Sequence, residues 1–195
     1  MKLISCTLLC LLLAFGIPVA SAERESPAIE SIQADFTQEK HLKILQKPLI
    51  STGTFIFAAP DSLRWEYRTP IPSVLLMHDG TIQKYIQQNG KFVADRGMRL
   101  DSMQVILTEI GNWLDGRFSG NDMFTASFPS KNTVLLEPKD PALAGLISRI
   151  ELKLAEQRGL LDSVTITEGP QSSTTMTFTN RVLNQDIPAS AFIAE

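Results

Sequence analysis

The residues best suited to acid–base or metal chemistry in this sequence are its two histidines, His41 and His78. Neither belongs to an HxH or HExxH spacing, which would place two imidazoles on one metal ion. The two cysteines, Cys6 and Cys10, both fall in an N-terminal apolar run, so the rest of the chain has no thiol. The sequence therefore predicts neither a metal site nor thiol chemistry.

A serine nucleophile is the next possibility, because His78 precedes Asp79 and a serine brought near would complete a Ser–His–Asp set. Asp79-Gly80 is more typical of a tight hairpin turn, in which neighbouring side chains point to opposite faces. Residues 116–120 (GRFSG) hold their serine in the wrong place for a GxSxG nucleophile elbow. There is also no P-loop and no GxGxxG. We expect a turn at 79–80, no cofactor and no enzymatic activity.

The first residues have the pattern of a secretory signal: Met1-Lys2, an apolar run over 3–17, and small residues at Ala20 and Ala22. The run is shorter than the ~20 residues that a membrane-spanning helix needs. We place cleavage after Ala22, which leaves a single domain over 23–195. This predicts export from the cytoplasm, and we expect the protein in the periplasm.

Charge and length narrow the class of partner. Residues 1–22 hold one of the 18 cationic residues and none of the 21 acidic ones, so the exported chain carries a net charge of −4. A weakly acidic surface offers no electrostatic footprint for nucleic acid or for an anionic membrane face. The remaining length fits one domain of ordinary size, and we expect a monomer.

Two amphipathic helices are predicted. Ser26-Pro27 opens the first, in which Ile29, Ile32 and Phe36 follow at helical spacing. The second begins after Asp101, has Trp113 beside its apolar stripe and ends at Gly116. Its stripe consists of Met103, Ile106, Leu107, Ile110 and Leu114.

Alternation of apolar and polar residues predicts strands in two groups, most clearly in residues 63–68 (LRWEYR), where Leu63, Trp65 and Tyr67 share one face. Strands with one apolar face and one solvent-exposed face indicate an antiparallel sheet. Tight turns between neighbouring strands favour a meander curled into an incomplete barrel (a half-barrel), closed by the two helices. The predicted strands cover 34–40, 53–57, 63–67, 74–78, 81–87, 123–128, 133–137, 149–155, 161–167 and 174–179.

Large apolar side chains could line the concave side of this sheet, with the second helix over them. Periodicity alone does not distinguish an ordinary core from a ligand cavity, and the core is the commoner outcome. The residues of this expected surface are Phe36, Phe55, Phe57, Leu63, Trp65, Tyr67, Met77, Tyr85 and Phe92.

A family resemblance favours the cavity. In order along the chain, several motifs resemble those of the LolA family of outer-membrane lipoprotein carriers. They are 32–38 (IQADFTQ), 53–55 (GTF), Pro60, 63–67 (LRWEY), Pro70, 78–80 (HDG), 174–180 (TTMTFTN), Asn184, 187–188 (IP) and Phe192.

The resemblance implies an incomplete β-barrel whose helices form a lid over an apolar cavity, which shields the acyl chains of lipoproteins crossing the periplasm. It implies an inner-membrane donor exporter and an outer-membrane acceptor as partners. The concave residues from Phe36 to Tyr85 would bind the ligand, and the stripe from Met103 to Leu114 would form the lid.

Two departures limit what the resemblance implies, the first for control of the lid and the second for the cargo. Where the family often has an arginine that helps to close the lid, this sequence has Ala59, and the resemblance ends near Phe192, without the tail that some carriers use to retain cargo. A glycolipid or a pigment ester is then an alternative cargo. Two other functions stay open: a periplasmic interaction or sensor module, and a lipid-processing enzyme that uses His41 or His78.

Overall fold

A computed structural model describes residues 29–95, 102–120, 122–156 and 160–193. The fold is mainly β, with two α-helices, α1 (Ser102–Leu114) and α2 (Pro141–Leu146), and a terminal 3₁₀ turn over Ala189–Phe192. The strands are β1 (Ser31–His41), β2 (Leu49–Ala58), β3 (Ser62–Thr69), β4 (Ser73–His78), β5 (Thr81–Gln88), β6 (Lys91–Ala94), β7 (Phe124–Ser130), β8 (Thr133–Pro138), β9 (Arg149–Leu154), β10 (Leu161–Thr167) and β11 (Ser173–Leu183).

All these strands belong to one antiparallel sheet of order β6-β5-β4-β3-β2-β1-β11-β10-β9-β8-β7. Strands β1 to β6 form one meander, and β7 to β11 form a second that returns to the first. The two join where β1 pairs with β11, which puts Phe36 opposite Phe178. The sheet ends at β6 and β7 and is not closed into a barrel. The antiparallel, mainly β prediction is confirmed, whereas the single meander is replaced by two.

The ten predicted strands are confirmed; strand β6, helix α2 and the 3₁₀ turn over Ala189–Phe192 were not predicted. Strand β6 has only four residues and follows the Asn89-Gly90 turn. Helix α2 begins at Pro141, and the Asp140 carboxylate accepts hydrogen bonds from the backbone N–H groups of Ala142 at 2.7 Å and Leu143 at 3.2 Å. An N-cap aspartate followed by proline is a recognised helix start, so the signal for α2 was present in the sequence.

The first predicted helix is wrong where the structure can test it. Ser26 and Pro27 lie outside the described residues, but Ile32 and Phe36 belong to strand β1. Ile32, Ala34 and Phe36 are all buried, which is the every-second-residue pattern of a strand. Neighbours on both sides, β2 and β11, pair with this segment, and this tertiary pairing prevails over the local helical spacing.

The second predicted helix is confirmed as α1. Ile106, Leu107, Ile110 and Leu114 are buried, as is Trp113. The side chain of Met103 and the predicted cap Asp101 lie outside what the structure describes. The helix ends as expected, because Gly116 adopts a positive φ of 74° and its N–H donates to the carbonyl oxygen of Trp113 at 2.9 Å.

The register of the strands separates two faces of the sheet. On the inner face, Trp65 of β3 lies opposite Phe55 of β2 and Leu75 of β4. On the outer face, Arg64 and Glu66 alternate with these residues. The main apolar core lies between the inner face and α1, and it continues across β8 to β11.

Candidate functional site

Five aromatic rings meet on the inner face and form what we call the aromatic cluster: Phe36, Phe55, Trp65, Tyr67 and Phe178. Trp65 is central, because its ring centroid lies 5.3 Å from that of Phe36, 5.2 Å from that of Phe55 and 6.1 Å from that of Phe178. Most of the ring pairs are edge-on, the arrangement that aromatic quadrupoles favour. The cluster draws on four adjacent strands, β3, β2, β1 and β11.

Helix α1 covers this part of the sheet. Ile106, Leu107 and Trp113 have no exposed surface, and neither does Trp65. A Cβ on Gly111 of α1 would lie 3.9 Å from the Phe57 ring and 3.7 Å from the carbonyl oxygen of Pro60, so the helix approaches closely at that end of β2. In this conformation, these side chains are fully enclosed by their neighbours.

A polar contact borders the aromatic cluster on the side of the β1–β2 and β3–β4 hairpins. The Tyr67 hydroxyl donates to Gln38 Oε1 at 2.8 Å, and both residues are partly buried. Two residues after Gln38 on β1, Lys40 Nζ lies 3.3 Å from Glu168 Oε2. The same carboxylate oxygen also accepts a hydrogen bond from the Thr174 hydroxyl. The inner face therefore changes from aromatic to polar toward these hairpins.

The core also contains two unused hydrogen-bond donors. The indole N–H groups of Trp65 and Trp113 are buried and have no hydrogen-bond partner among the described residues. A buried polar group without a partner costs free energy, roughly 1–3 kcal/mol in protein mutational data. An acceptor that entered this region would recover part of that cost.

The expected concave residues separate into two sets. Phe36, Phe55, Phe57, Leu63 and Trp65 are buried on the inner face, and Tyr67 and Met77 pack against them. Tyr85 was placed with them incorrectly: it lies opposite Val74, which itself lies opposite Glu66, so Tyr85 is on the outer face. Phe92, paired with Gln87, shares that outer face.

Sequence reasoning missed Phe178 as part of this site. The alternation of Thr174, Met176 and Phe178 predicts an apolar strand face, and that face is present. The alternation does not predict that β11 pairs with β1. This pairing places the ring centroid of Phe178 5.8 Å from that of Phe55. This contact joins residues more than a hundred positions apart.

The residues that suggested serine chemistry do meet, but not in a catalytic arrangement. Ser62 Oγ and His78 Nδ1 share a hydrogen bond of 2.7 Å, while Asp79 Oδ2 lies 3.7 Å from His78 Nε2, beyond hydrogen-bond reach. Ser62 is largely buried, and its hydroxyl is already engaged by the imidazole. Asp79 and Gly80 both have positive φ, which confirms the predicted hairpin turn.

His78 instead contacts the 3₁₀ turn over Ala189–Phe192. Its ring stacks on that of Phe192, with centroids 5.8 Å apart and planes 7° from parallel. On the same outer face, the Arg64 guanidinium donates to the carbonyl oxygens of Ala191 at 3.3 Å and Ile193 at 3.0 Å. We call this set of contacts the C-terminal clasp. Arg64 thus lies away from α1, as its alternation with Trp65 predicts.

Two pockets formed by described residues lie elsewhere. One, of about 570 Å³, is lined by Phe118, Lys131, Leu154 and neighbouring residues, and the other, of about 370 Å³, by Ser31, Asn184 and residues near them. Neither contains a residue of the aromatic cluster. Within the part of the chain that is described, no group of His, Cys, Asp and Glu residues is arranged to hold a metal, and no helix is long and apolar enough to cross a membrane.

Solved structures of similar shape have little sequence in common with this chain. A DUF1329 family protein from Desulfovibrio piger has 9% identity and a TM-score of 0.47, with 86% of this chain and 91% of that chain covered. A LolA superfamily protein from Nitrosomonas europaea has 8% identity and a TM-score of 0.42, with 84% and 90% covered. MucB of Pseudomonas aeruginosa, in complex with MucA, has 14% identity and a TM-score of 0.39, with 85% and 56% covered.

These TM-scores are low, so the structural likenesses carry no further argument. No curated protein matches the chain with significance. The family model described as outer membrane lipoprotein carrier protein LolA, in contrast, matches residues 28–195, which is most of the sequence. The chain belongs to the LolA family.

Proposed function

We propose that this protein is a periplasmic carrier that binds the acyl chains of a lipoprotein, or of a related amphiphile, between α1 and the inner face of the sheet. The observation that supports the proposal is the aromatic cluster, a continuous apolar surface that α1 covers. Membership of a family described by lipoprotein carriage supports the same ligand class.

Movement of α1 is the step that would open the site. A helix satisfies its own backbone hydrogen bonds, so α1 can leave the sheet without breaking the strand ladder. Acyl chains would then occupy the positions of Ile106, Leu107 and Ile110 against Trp65, which exchanges one apolar contact for another. Each buried CH₂ of the ligand contributes about 0.8 kcal/mol, so long chains compete effectively with the helix. No catalyst is needed, and handover depends on an acceptor that binds more tightly.

The unused indole donors narrow the ligand class further. An ester or amide carbonyl, which joins acyl chains to glycerol or to an N-terminal cysteine, could accept a hydrogen bond from Trp65 or Trp113. A plain hydrocarbon could not. This favours a ligand whose ester or amide group enters the site together with the acyl chain. Lipoproteins and glycolipids both have such groups.

Transport belongs to this proposal as well. The signal sequence expected over 1–22 lies outside the described residues, and export to the periplasm rests on it. We propose an inner-membrane exporter as donor and an outer-membrane protein as acceptor. Where the family often has an arginine, Ala59 is exposed and its N–H donates to the carbonyl of Glu30 at 2.8 Å.

Native mass spectrometry of the purified protein with a triacylated lipopeptide, and in parallel with a glycolipid, tests the proposal. Trp65 and Trp113 are the only tryptophans in the chain, so their emission reports directly on the interface between the sheet and α1. We expect a one-to-one lipopeptide complex, a change in tryptophan emission, and weaker binding in Trp65→Asp and Leu107→Asp. Phe128→Asp, which changes a residue that is 59% exposed on β7, is the matched control and should bind normally.

The emission change in the unaltered protein keeps the test valid if an aspartate variant fails to fold. Binding of the glycolipid alone would retain the carrier and change its cargo. A second candidate, a periplasmic protein-interaction module, is favoured by one observation: Trp65, Ile106 and Leu107 are fully buried, as in an ordinary core. Binding of neither ligand, with unchanged emission, would replace the carrier with that module.

A further inference from the structure

Two neighbouring hairpin loops carry most of the exposed large apolar side chains. Of nine such residues in the described part of the chain, five lie in or beside the β1–β2 loop (42–48) and the β3–β4 turn (70–72). Ile44 is 86% exposed and Ile71 is 69% exposed. The five are Ile44, Leu45, Leu49, Ile50 and Ile71, and together with Lys43 and Lys47 they form what we call the hairpin-end patch.

Strand register places the two loops side by side. Thr52 of β2 lies opposite Thr69 of β3, and their hydroxyl groups share a hydrogen bond of 2.7 Å. Ile50 precedes Thr52 by two residues and Ile71 follows Thr69 by two, so both lie beyond this pair at the same end of the sheet. Adjacent strands are about 4.8 Å apart, so the two loops lie close together at this end of the sheet, with Leu49 and Ile50 on opposite faces of β2.

The charge of this surface is positive, although the protein as a whole is acidic. Residues 40–50 contain three lysines, one histidine and no acidic residue. Lys40 pairs with Glu168, and His41 lies 4.0 Å from Glu39, but no carboxylate of the described residues pairs with Lys43 or Lys47. Two free cations therefore flank Ile44 and Leu45 at the tip of the loop.

We propose that the hairpin-end patch docks on the surface of a membrane that contains anionic phospholipid. Aliphatic side chains that enter the interface, with lysines at the level of the phosphates, are a recognised combination for reversible membrane attachment. The composition argues against a protein partner, because protein interfaces are enriched in Tyr, Trp and Arg and depleted in Lys. The patch consists of aliphatic residues and lysines. The two loops can also insert into a fluid bilayer, which does not need a surface of complementary shape.

Docking in this way would bring the polar border of the aromatic cluster toward the bilayer. Tyr67 and Gln38, which close the cluster on this side, lie on the strands that lead into the two loops. The inference is independent of the ligand proposed above. A protein that binds membranes through this patch would do so whether or not it carries acyl chains.

Flotation of the full-length protein with phosphatidylcholine vesicles, with and without phosphatidylglycerol, tests the inference. We expect binding to the anionic vesicles and its loss at high salt. Ile44→Asp combined with Ile71→Asp should lower vesicle binding at least about tenfold, because each change removes the burial of a large apolar side chain. Lys43→Glu combined with Lys47→Glu should lower it similarly. These side chains are exposed, so melting curves should match those of the unaltered protein.

Two matched controls lie away from the patch. Phe128→Asp changes an apolar residue that is 59% exposed on edge strand β7, and Lys131→Glu reverses a charge in the β7–β8 turn, at the opposite end of the strands. Both should bind vesicles normally. Absence of flotation, equal binding to both vesicle types, or equal loss in the controls would overturn the inference. The inference would also be overturned if the patch were needed to bind a partner protein but not to bind vesicles. Lipopeptide binding that survives without vesicle binding would leave the proposed function intact.

Discussion

The ring of Phe36 lies across Gly53 on the neighbouring strand, with its Cε1 atom 2.8 Å from the position that a Cβ on Gly53 would occupy. The same Cβ would collide with the backbone carbonyl of Glu66. Gly53 also lies opposite both Phe36 and Tyr67 in the strand register, so the missing side chain makes room for the edge-on contact between those two rings. The aromatic cluster therefore depends on a glycine.

We expect Gly53→Ala to lower the free energy of unfolding by about 1–3 kcal/mol, because overpacking forces shifts in side chains and backbone. Chemical denaturation measures this. Gly145→Ala in α2 is the matched control, because nothing lies within 4 Å of its added Cβ. Alanine there should leave stability unchanged or raise it slightly. Equal stability of the two variants would show that both the Glu66 carbonyl and the Phe36 ring move aside at no cost.

Trp65→Phe should reveal whether an acyl carbonyl binds the indole N–H. A net hydrogen bond is worth about 0.5–1.5 kcal/mol, so we expect a loss of about twofold to tenfold in affinity for an ester-linked lipopeptide. An ether-linked analogue, which lacks the carbonyl, should lose nothing beyond the effect of ring size. Calorimetric titration of both ligands makes the comparison. An equal loss for the two would assign the effect to packing alone.

Removal of the Phe192 ring should loosen the C-terminal clasp. Phe192 is buried, and truncation of a buried phenylalanine costs about 3–5 kcal/mol, which we take as an upper bound for a residue outside the main core. Amide hydrogen exchange at residues 189–193 should rise in Phe192→Ala. Ile193→Ala, at a neighbouring residue that is 59% exposed, should have little effect. Unchanged exchange in Phe192→Ala would mean that Arg64 alone holds the segment.

Ser62→Ala tests the hydrogen bond with His78 as a structural contact. We expect a loss of about 1 kcal/mol in stability, typical of one hydrogen bond at a partly buried site. Neither the unaltered protein nor Ser62→Ala should hydrolyse acyl esters above the buffer rate, because Ser62 is buried and Asp79 does not reach the imidazole. Ester turnover that disappears in Ser62→Ala would restore the lipid-processing enzyme as a hypothesis.

Much of the local structure could be predicted from sequence. Leu63, Trp65 and Tyr67 alternate with charged residues, and this period of two places them on one face whatever the strand pairs with. Asp79-Gly80 predicts its own turn, because few residue pairs tolerate two positive φ angles. The apolar stripe of α1 likewise predicts a helix, because it recurs at every third or fourth residue over 103–114.

Only the tertiary structure decided which strands are neighbours. The pairing of β1 with β11 made a strand of a segment with helical spacing, and it carried Phe178 to the aromatic cluster. The register of β5 sent Tyr85 to the outer face. Alternation along a strand determines which residues share a face, but the face that is buried depends on partners distant in sequence. The aromatic cluster, the C-terminal clasp and the hairpin-end patch are all set by such long-range pairing.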